Sequence, residues 1–298
     1  EPSAQLPNKK LLAAAFVGAL FMCPPASAQV SESALGSIST PNQVETSIGS
    51  LEFLDGAPSA ETAERVYDYL DTMRGVEAFL KGMPGASLQG LIKGAHSQGA
   101  VECHQVLYFD KLMDSRSLYL TGNTSTMYVL PNLDLQRDGP TVMEAPAGML
   151  GAFNDAWFRY VVDFGNLGPD KAQGGKFLML PPGYKGEVPE GYHVARTNTY
   201  GHWVAWRGFQ VDGSTETAVK QTKERFKIYP LSQAGNPPKM NFVNVSGKIF
   251  NTIHRMDVEI FDEINAVVQR EPSMGERAEL LGHLAAIGIV KGQKFAPD

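Results

Sequence analysis

The sequence has only two cysteines, Cys23 and Cys103, in 298 residues. Two cysteines cannot build the disulfide framework of a small secreted domain, and no Cys or His pair has the spacing of a recognisable zinc site. If residues 1–28 are removed as a leader, Cys103 is the only cysteine left. We interpret it as a small buried residue rather than a nucleophile. Stability therefore has to come from packing.

The chain also lacks the excess of basic residues that nucleic-acid-binding proteins carry. It has 26 Lys and Arg against 32 Asp and Glu, a formal net charge of −6. This balance argues against nucleic acid as a partner. Beyond the N-terminal leader, no apolar run reaches the roughly 18 residues of a transmembrane helix, so we expect no transmembrane segment after leader removal.

The first 28 residues have the three parts of a secretory signal peptide. A basic stretch, Asn8-Lys9-Lys10, precedes the apolar run Leu11–Cys23, and Ala26-Ser27-Ala28 provides a small-residue cleavage site. This pattern predicts cleavage after Ala28 and a mature protein that begins at Gln29. The predicted location is therefore outside the cytoplasm, in the periplasm or outside the cell.

Residues 29–58 are rich in Ser, Gly and Thr and have little periodicity, which predicts a flexible N-terminus. We expect residues 59–298 to form a single β-rich domain with flanking helices. Its N-terminal helix is predicted to begin near Ser59 and to end at Gly82-Met83-Pro84, because proline and glycine interrupt helices.

Short apolar or alternating runs, separated by turns rich in Gly, Pro and Asn, fill the middle of the chain. They predict nine strands: Gln105–Phe109, Ser117–Leu120, Met127–Leu130, Thr141–Met143, Phe158–Val162, Lys176–Leu180, His193–Ala195, His202–Phe209 and Arg225–Tyr229. No helical pattern alternates with these runs. We therefore predict a mainly β fold, a jelly-roll-like sandwich rather than a parallel α/β sheet.

Two helices are predicted at the C-terminus, which gives one N-terminal and two C-terminal helices in all. Asp257 can cap the first, whose apolar stripe from Ile260 to Val268 is stopped by Glu271-Pro272. The second is expected over Gly275–Ile289.

The loop Pro181–Tyr192 holds three prolines and three glycines between two predicted strands. This composition favours a scaffold turn that reverses the chain over a rigid ligand-binding loop, because Pro fixes φ and Gly supplies positive φ.

Candidate catalytic residues are few. Ala95-His96-Ser97-Gln98-Gly99 resembles the nucleophile elbow of hydrolases, but no strand pattern precedes it. A hydrolase that uses Ser97 with a histidine is therefore an alternative, as is a metal site made by His193 and His202 if their strands pair. We assign no catalytic residue, no metal and no cofactor.

The densest aromatic stretch is Tyr200–Phe209. Strand alternation places His202, Val204 and Trp206 on one face, and Trp203, Ala205 and Arg207 on the other. One Trp per face fits a strand buried on both sides, which we favour, or one whose outer face lines a cavity. The candidate residues for an amphipathic or carbohydrate-like ligand are Tyr200, His202, Trp203, Trp206 and Arg207.

Several ordered motifs between residues 60 and 290 resemble the domain-of-unknown-function 1254 family. They are Asn123–Tyr128, Asp138-Gly139-Pro140, Trp157-Phe158, Gly168-Pro169-Asp170, Gly174–Tyr184, Val188–Tyr192, Arg207-Gly208-Phe209, Ile228–Leu231, Gly235–Pro238 and Phe261–Asn265. The resemblance implies a bacterial envelope or secreted protein with a jelly-roll-like β domain. Members usually carry a second β domain, of the domain-of-unknown-function 1214 family, which is missing here.

Two hypotheses of function follow. The favoured one is a non-catalytic binding or scaffold role in the bacterial envelope. The alternative is the hydrolase or metal site described above. Because the usual second domain is missing, we also expect self-association, or a separate chain that covers the exposed surface.

Overall fold

The structure is a computed structural model that describes residues 30–273 and 278–297. The predicted leader, residues 1–28, lies outside the described residues. The chain divides into two compact units, Glu1–Tyr69 and Leu70–Asp298. Within the described part, no helix combines the length and the apolar character needed to cross a membrane.

The first unit contains a short helix and a small antiparallel sheet. Helix α1 is Glu32–Ile38, and the sheet has the strand order β1 (Gln43–Thr46), β2 (Gly49–Leu54) and β3 (Ala57–Pro58). These strands fall in the segment expected to be flexible. The missed signal was Asp55-Gly56, which has positive φ at both residues (51° and 82°) and forms the two-residue hairpin turn typical of Asp-Gly.

Helix α2, Ala60–Ser97, begins where predicted but is much longer than expected. The prediction that it ends at Gly82-Met83-Pro84 is wrong, because Pro84 lies inside it. Glycines on this helix permit close packing against neighbouring backbone. A Cβ on Gly90 would lie 2.6 Å from the carbonyl oxygen of Thr252.

The second unit contains the remaining strands. They are β4 (Gln105–Tyr108), β5 (Ser117–Leu118), β6 (Met127–Leu130), β7 (Asn132–Asp134), β8 (Thr141–Ala145), β9 (Leu150–Asp155), β10 (Tyr160–Gly165), β11 (Gly175–Leu180), β12 (His193–Arg196), β13 (Gly201–Gly208), β14 (Lys227–Pro230), β15 (Asn241–Asn244) and β16 (Phe250–Asn251). All nine predicted strands overlap an observed strand, so the fold is strand-rich as predicted. Helices are as abundant as strands among the described residues, however, so the fold is mixed rather than mainly β.

The strands form two larger sheets and one strand pair. The seven-stranded sheet has the order β10-β9-β13-β6-β4-β15, with β7 also paired to β13, and the four-stranded sheet has the order β12-β11-β8-β14. Aromatic residues from both sheets meet in one core. For example, the rings of Phe153 and Phe164 lie 6.3 and 5.9 Å from that of Phe177.

The jelly-roll description does not fit this topology, because a jelly roll is built from antiparallel strands. Three pairs here are parallel: β4 with β15, β5 with β16, and β11 with β12. The described residues also contain six α-helices rather than the three expected.

Two of the additional helices lie between strands of the second unit. They are α3 (Leu135–Asp138) and α4 (Glu216–Arg225). The expectation that no helix alternates with the strands is therefore wrong. Helix α4 buries only Ala218 and Thr222, so its apolar stripe was too narrow to be recognised from the sequence.

The two C-terminal helices are present. Helix α5, Ile260–Arg270, buries Ile260, Ile264, Val267 and Val268 and ends before Glu271-Pro272 as predicted. Helix α6 is Ala278–Ala285, and the predicted start at Gly275 lies outside the described residues.

The loop Pro181–Tyr192 connects two strands that are parallel neighbours, β11 and β12. The prediction that it reverses the chain is wrong, because the chain must return along the sheet before β12 begins. Tyr184, Val188 and Tyr192 pack against a buried cluster of the four-stranded sheet that includes Leu178 and Leu180. The loop is thus a crossover that covers apolar surface.

Candidate functional site

The second unit contains a cavity of about 600 Å³ beside helix α2 and the seven-stranded sheet. Its walls come from α2, from β6, β9 and β13, from Phe158 after β9, from Met113 and residues 119–122 on either side of β5, and from residues 252–254. The wall residues are Met83, Pro84, Ser87, Leu91, Met113, Tyr119, Leu120, Thr121, Gly122, Tyr128, Leu130, Asn154, Phe158, Trp203, Ala205, Arg207, Thr252, Ile253 and His254.

Strand β13 supplies both the protein core and the cavity wall. His202, Val204 and Trp206 are each fully buried. The alternate residues, Trp203, Ala205 and Arg207, are only half-buried and line the cavity. The division into two faces follows the alternation read from the sequence. Of the two arrangements considered there, the structure has the one in which the outer face lines a cavity.

Trp203 forms one end of this strand face. Its ring centroid lies 5.8 Å from that of Phe158, with an interplanar angle of 48°. Phe158 has a φ of 60°, which non-glycine residues seldom adopt. The turn that holds it is fixed by Asp155, whose Oδ1 accepts hydrogen bonds from the backbone N–H groups of Trp157 (2.8 Å) and Arg159 (2.9 Å).

Arg207 forms the other end. Its guanidinium carbon lies 5.6 Å from the centre of the Tyr128 ring, a cation–π distance. Among the described residues, the Arg207 side chain makes this cation–π contact but no hydrogen bond and no ion pair. The wall residues include no Asp, Glu or Lys, so no carboxylate of the wall compensates this charge.

The Tyr128 ring is held in place by Asn123. The Asn123 side-chain amide donates a hydrogen bond of 2.5 Å to the Tyr128 hydroxyl. In turn, Asn123 Oδ1 accepts hydrogen bonds of 3.0 Å from the backbone N–H groups of Ser125 and Thr126. The Tyr128 ring, which contacts Arg207, is therefore held in position by the turn that begins at Asn123.

Two further titratable groups belong to the wall. His254 is buried, and its Nδ1 lies 2.7 Å from the Arg255 carbonyl oxygen. Because a carbonyl oxygen only accepts, Nδ1 carries the proton and donates it there. Burial, and then the neighbouring Tyr128, raise the pKa of Tyr119 far above its ordinary value, so this phenol stays neutral.

The other ligand candidates from the sequence do not line the cavity. Tyr200 packs against the core, and its backbone N–H donates a 2.6 Å hydrogen bond to Glu271. His202 Nε2 lies 2.8 Å from Thr197 Oγ1. Trp206 packs edge-on against Phe226, with ring centroids 4.5 Å apart. Of the five candidates, the cavity brings together Trp203 and Arg207.

Ser97 lies at the C-terminal end of α2, where its Oγ donates a 2.7 Å hydrogen bond to the Gly94 carbonyl. A nucleophile elbow needs a strand before the serine and a helix after it, and Ser97 has neither arrangement. Partial burial, together with the charges of Arg137 and Arg270, lowers the pKa of the adjacent His96. Neither residue lines the cavity.

The metal alternative required the strands of His193 and His202 to pair. They lie on β12 and β13, which belong to different sheets. Within residues 30–273 and 278–297, no group of three His, Cys, Asp or Glu side chains is placed to hold a metal ion.

Cys103 is buried, as interpreted from the sequence. Burial, and then Asp138, raise the pKa of its thiol to about 12. The thiolate that a nucleophile needs is therefore not formed near neutral pH.

Several wall residues were not recognised from the sequence. Met83 and Leu91 lie in or beyond the region where helix α2 was expected to end, and Phe158 was assigned to a strand. His254 was noted only as one of six scattered histidines. The signal that could have found Asn154 and Phe158 is Asn154-Asp155 at the end of β9, directly before the turn at Ala156-Trp157.

Comparison with known proteins supports the family resemblance. Residues 104–230 match the family described as "Protein of unknown function (DUF1254)", which confirms the resemblance over that range. No curated protein matches the chain.

A solved structure, the VPA0106 protein from Vibrio parahaemolyticus, is similar with a TM-score of 0.54 and 18% sequence identity. The alignment covers 76% of this chain and 54% of that one, so this chain spans about half the length of its structural neighbour. At this identity the likeness concerns the fold alone.

Proposed function

We propose that this protein binds an amphipathic small molecule in the cavity beside β13 and does not transform it chemically. The observation that carries the proposal is the cavity itself. Its volume of about 600 Å³ falls within the roughly 300–1,000 Å³ of small-molecule sites. Its wall is mostly apolar and has a few polar groups, which is the usual composition of such sites.

The wall residues suit a ligand with an apolar body. Met83, Leu91 and Leu130 offer aliphatic surface, and Trp203 with Phe158 offers aromatic surface. Burying apolar ligand area against these side chains supplies the affinity, at roughly 25 cal/mol for each Å² removed from water. Ser97 and Cys103, the residues with nucleophilic side chains considered above, lie outside the cavity, which favours binding over catalysis.

Uptake of the neutral apolar dye N-phenyl-naphthylamine tests this proposal. We expect its fluorescence to rise when it enters the cavity of the unaltered protein. Ala205→Trp places an indole in the cavity and should weaken dye binding by about tenfold or more, since a filled cavity excludes the ligand. Val194→Trp is the matched control, because Val194 lies on β12, is exposed and is not a wall residue.

The proposal is wrong if the unaltered protein does not take up the dye. It is also wrong if Ala205→Trp, shown by circular dichroism to be folded, binds the dye as tightly as Val194→Trp. Ala205→Leu provides a smaller filling residue for the same comparison if the tryptophan variant does not fold.

We further propose a binding or scaffold role in the bacterial envelope, in the periplasm or outside the cell. The support is the signal-peptide pattern of residues 8–28. N-terminal sequencing of protein from its native host should find Gln29 first, and an intact leader in a cytoplasmic fraction would contradict export. Self-association, or a separate partner chain, stays a prediction that light scattering of concentrated protein and pull-down can test.

A further inference from the structure

We infer that the ligand of this cavity is an elongated monoanion whose carboxylate lies at Arg207 and whose apolar end lies at Trp203. This inference rests on the proposed binding function and adds to it the chemical class and the orientation of the ligand. It follows from the charge of the wall and from the spacing of two residues on β13.

The charge of the wall favours an anion. Among the described wall residues, Arg207 is the one with a permanent charge, and none of them carries a carboxylate to pair with it. The Tyr128 ring supplies a cation–π contact but leaves the guanidinium N–H donors without an acceptor among the described residues. A carboxylate fits these donors in a bidentate arrangement, which is among the strongest hydrogen-bonded pairs in proteins.

The spacing of the wall residues favours an elongated molecule. Trp203 and Arg207 lie four residues apart on one strand and therefore face the same side, about 13 Å apart. At the Trp203 end, the indole and the Phe158 ring form an aromatic pair. Asn154 pairs directly with Trp203 and is the polar side chain of β9 at this end, so the wall is mainly aromatic there and cationic at the Arg207 end. This difference matches the polarity of a medium-chain carboxylate.

Other ligand classes fit this wall less well. A cation would meet Arg207 with no carboxylate to compensate either charge. A carbohydrate carries hydroxyl groups on all sides. Polar wall residues such as Ser87 and Asn154 can pair with some of them, but Met83, Leu91 and Leu130 offer no hydrogen-bonding partner, and each unpaired buried hydroxyl weakens binding.

Calorimetric titration with three matched probes tests the inference. Decanoate, decanol and decyltrimethylammonium share one alkyl chain and differ in head group, and each is used below its micellar concentration. We expect decanoate to bind at least about tenfold more tightly than decanol. The reason is that a hydrogen bond to a charged group contributes more binding free energy than one between neutral groups, by about the amount that changes affinity tenfold. Decyltrimethylammonium should bind most weakly.

Variants of Arg207 locate the head group. Arg207→Met should remove the preference for decanoate over decanol, whereas Arg207→Lys should keep part of it, because the charge remains. Lys185→Met is the matched control, since it removes an exposed positive charge that does not belong to the wall, and it should leave both affinities unchanged.

The inference is wrong if the unaltered protein binds decanol as tightly as decanoate, a comparison that needs no variant. It is also wrong if Arg207→Met keeps the preference. In either case, the proposed cavity function would still be supported if the unaltered protein takes up the dye and Ala205→Trp does not. If the unaltered protein binds neither the dye nor decanoate, the proposed function itself is wrong.

Discussion

Glycine residues set how closely helix α2 packs against the rest of the second unit. A Cβ on Gly90 would lie 2.6 Å from the carbonyl oxygen of Thr252, and one on Gly94 would lie 2.6 Å from that of Asn251. Both obstacles are backbone atoms, which cannot move aside as the end of a side chain can. From the sequence, Gly82 and Pro84 indicated a helix end, whereas in the structure Gly82 is another site of close packing, because a Cβ there would overlap Ile264 Cδ1.

Gly90→Ala should therefore lower the free energy of unfolding by about 1–3 kcal/mol, the usual cost of overpacking. Gly75→Ala is the matched control in the same helix, because nothing lies within 4 Å of its added Cβ. This control should raise stability by up to about 1 kcal/mol, since alanine favours the helix. Urea unfolding of both variants measures the difference, and equal stability of the two would contradict the packing role.

The two faces of β13 show what the alternation of side chains along a strand can and cannot predict. Alternation correctly separated Trp206 from Trp203, because successive side chains of a strand point in opposite directions. It could not tell which face is the core, since each face carries one tryptophan. That choice depends on neighbouring strands and on helix α2, which are distant in sequence.

At the scale of elements, the loop Pro181–Tyr192 covers apolar surface of the four-stranded sheet and also connects β11 to β12. Tyr184, Val188 and Tyr192 pack over a cluster that includes Leu178 and Leu180. The Tyr184 hydroxyl also donates a 3.1 Å hydrogen bond to the Glu187 carbonyl, which closes the loop on itself. The proline and glycine content thus fixes a crossover between parallel strands.

Tyr184→Ala should destabilise the protein by about 1–2 kcal/mol, because a half-buried aromatic ring leaves the sheet surface. Lys185→Ala, at the adjacent exposed position, should change stability by less than about 0.5 kcal/mol. Chemical unfolding curves distinguish the two variants. An unfolding midpoint for Tyr184→Ala that equals that of Lys185→Ala would show that the loop is only a connection.

Strands with Val, Leu and Phe runs were predictable, whereas strands with small or polar residues were not. Strand β9 begins Leu150-Gly151-Ala152, and a Cβ on Gly151 would lie 2.5 Å from the Ala205 carbonyl oxygen. Its small residues are required by close packing and therefore weaken its strand signal. Strand β15 is an edge strand with asparagine at both ends, a residue that is depleted in strands, and it was not predicted.

At the scale of the whole molecule, the second unit combines a core between two sheets with a cavity on the outer side of the larger sheet. The cavity wall draws on residues from Met83 to His254. The family match covers residues 104–230 and so leaves out the walls from α2 and from residues 252–254. A site assembled from such distant segments has no local motif, which is why sequence could indicate the strand of Trp203 and Arg207 but not the cavity.

A crystal structure of the protein with decanoate that carries a terminal bromine tests the central claim most directly, because anomalous scattering locates the bromine independently of the rest of the ligand. The account predicts a bromine peak beside Trp203 and Phe158, with the carboxylate within hydrogen-bonding distance of Arg207. A bromine peak beside Arg207, or electron density for this ligand only outside the cavity, would contradict it.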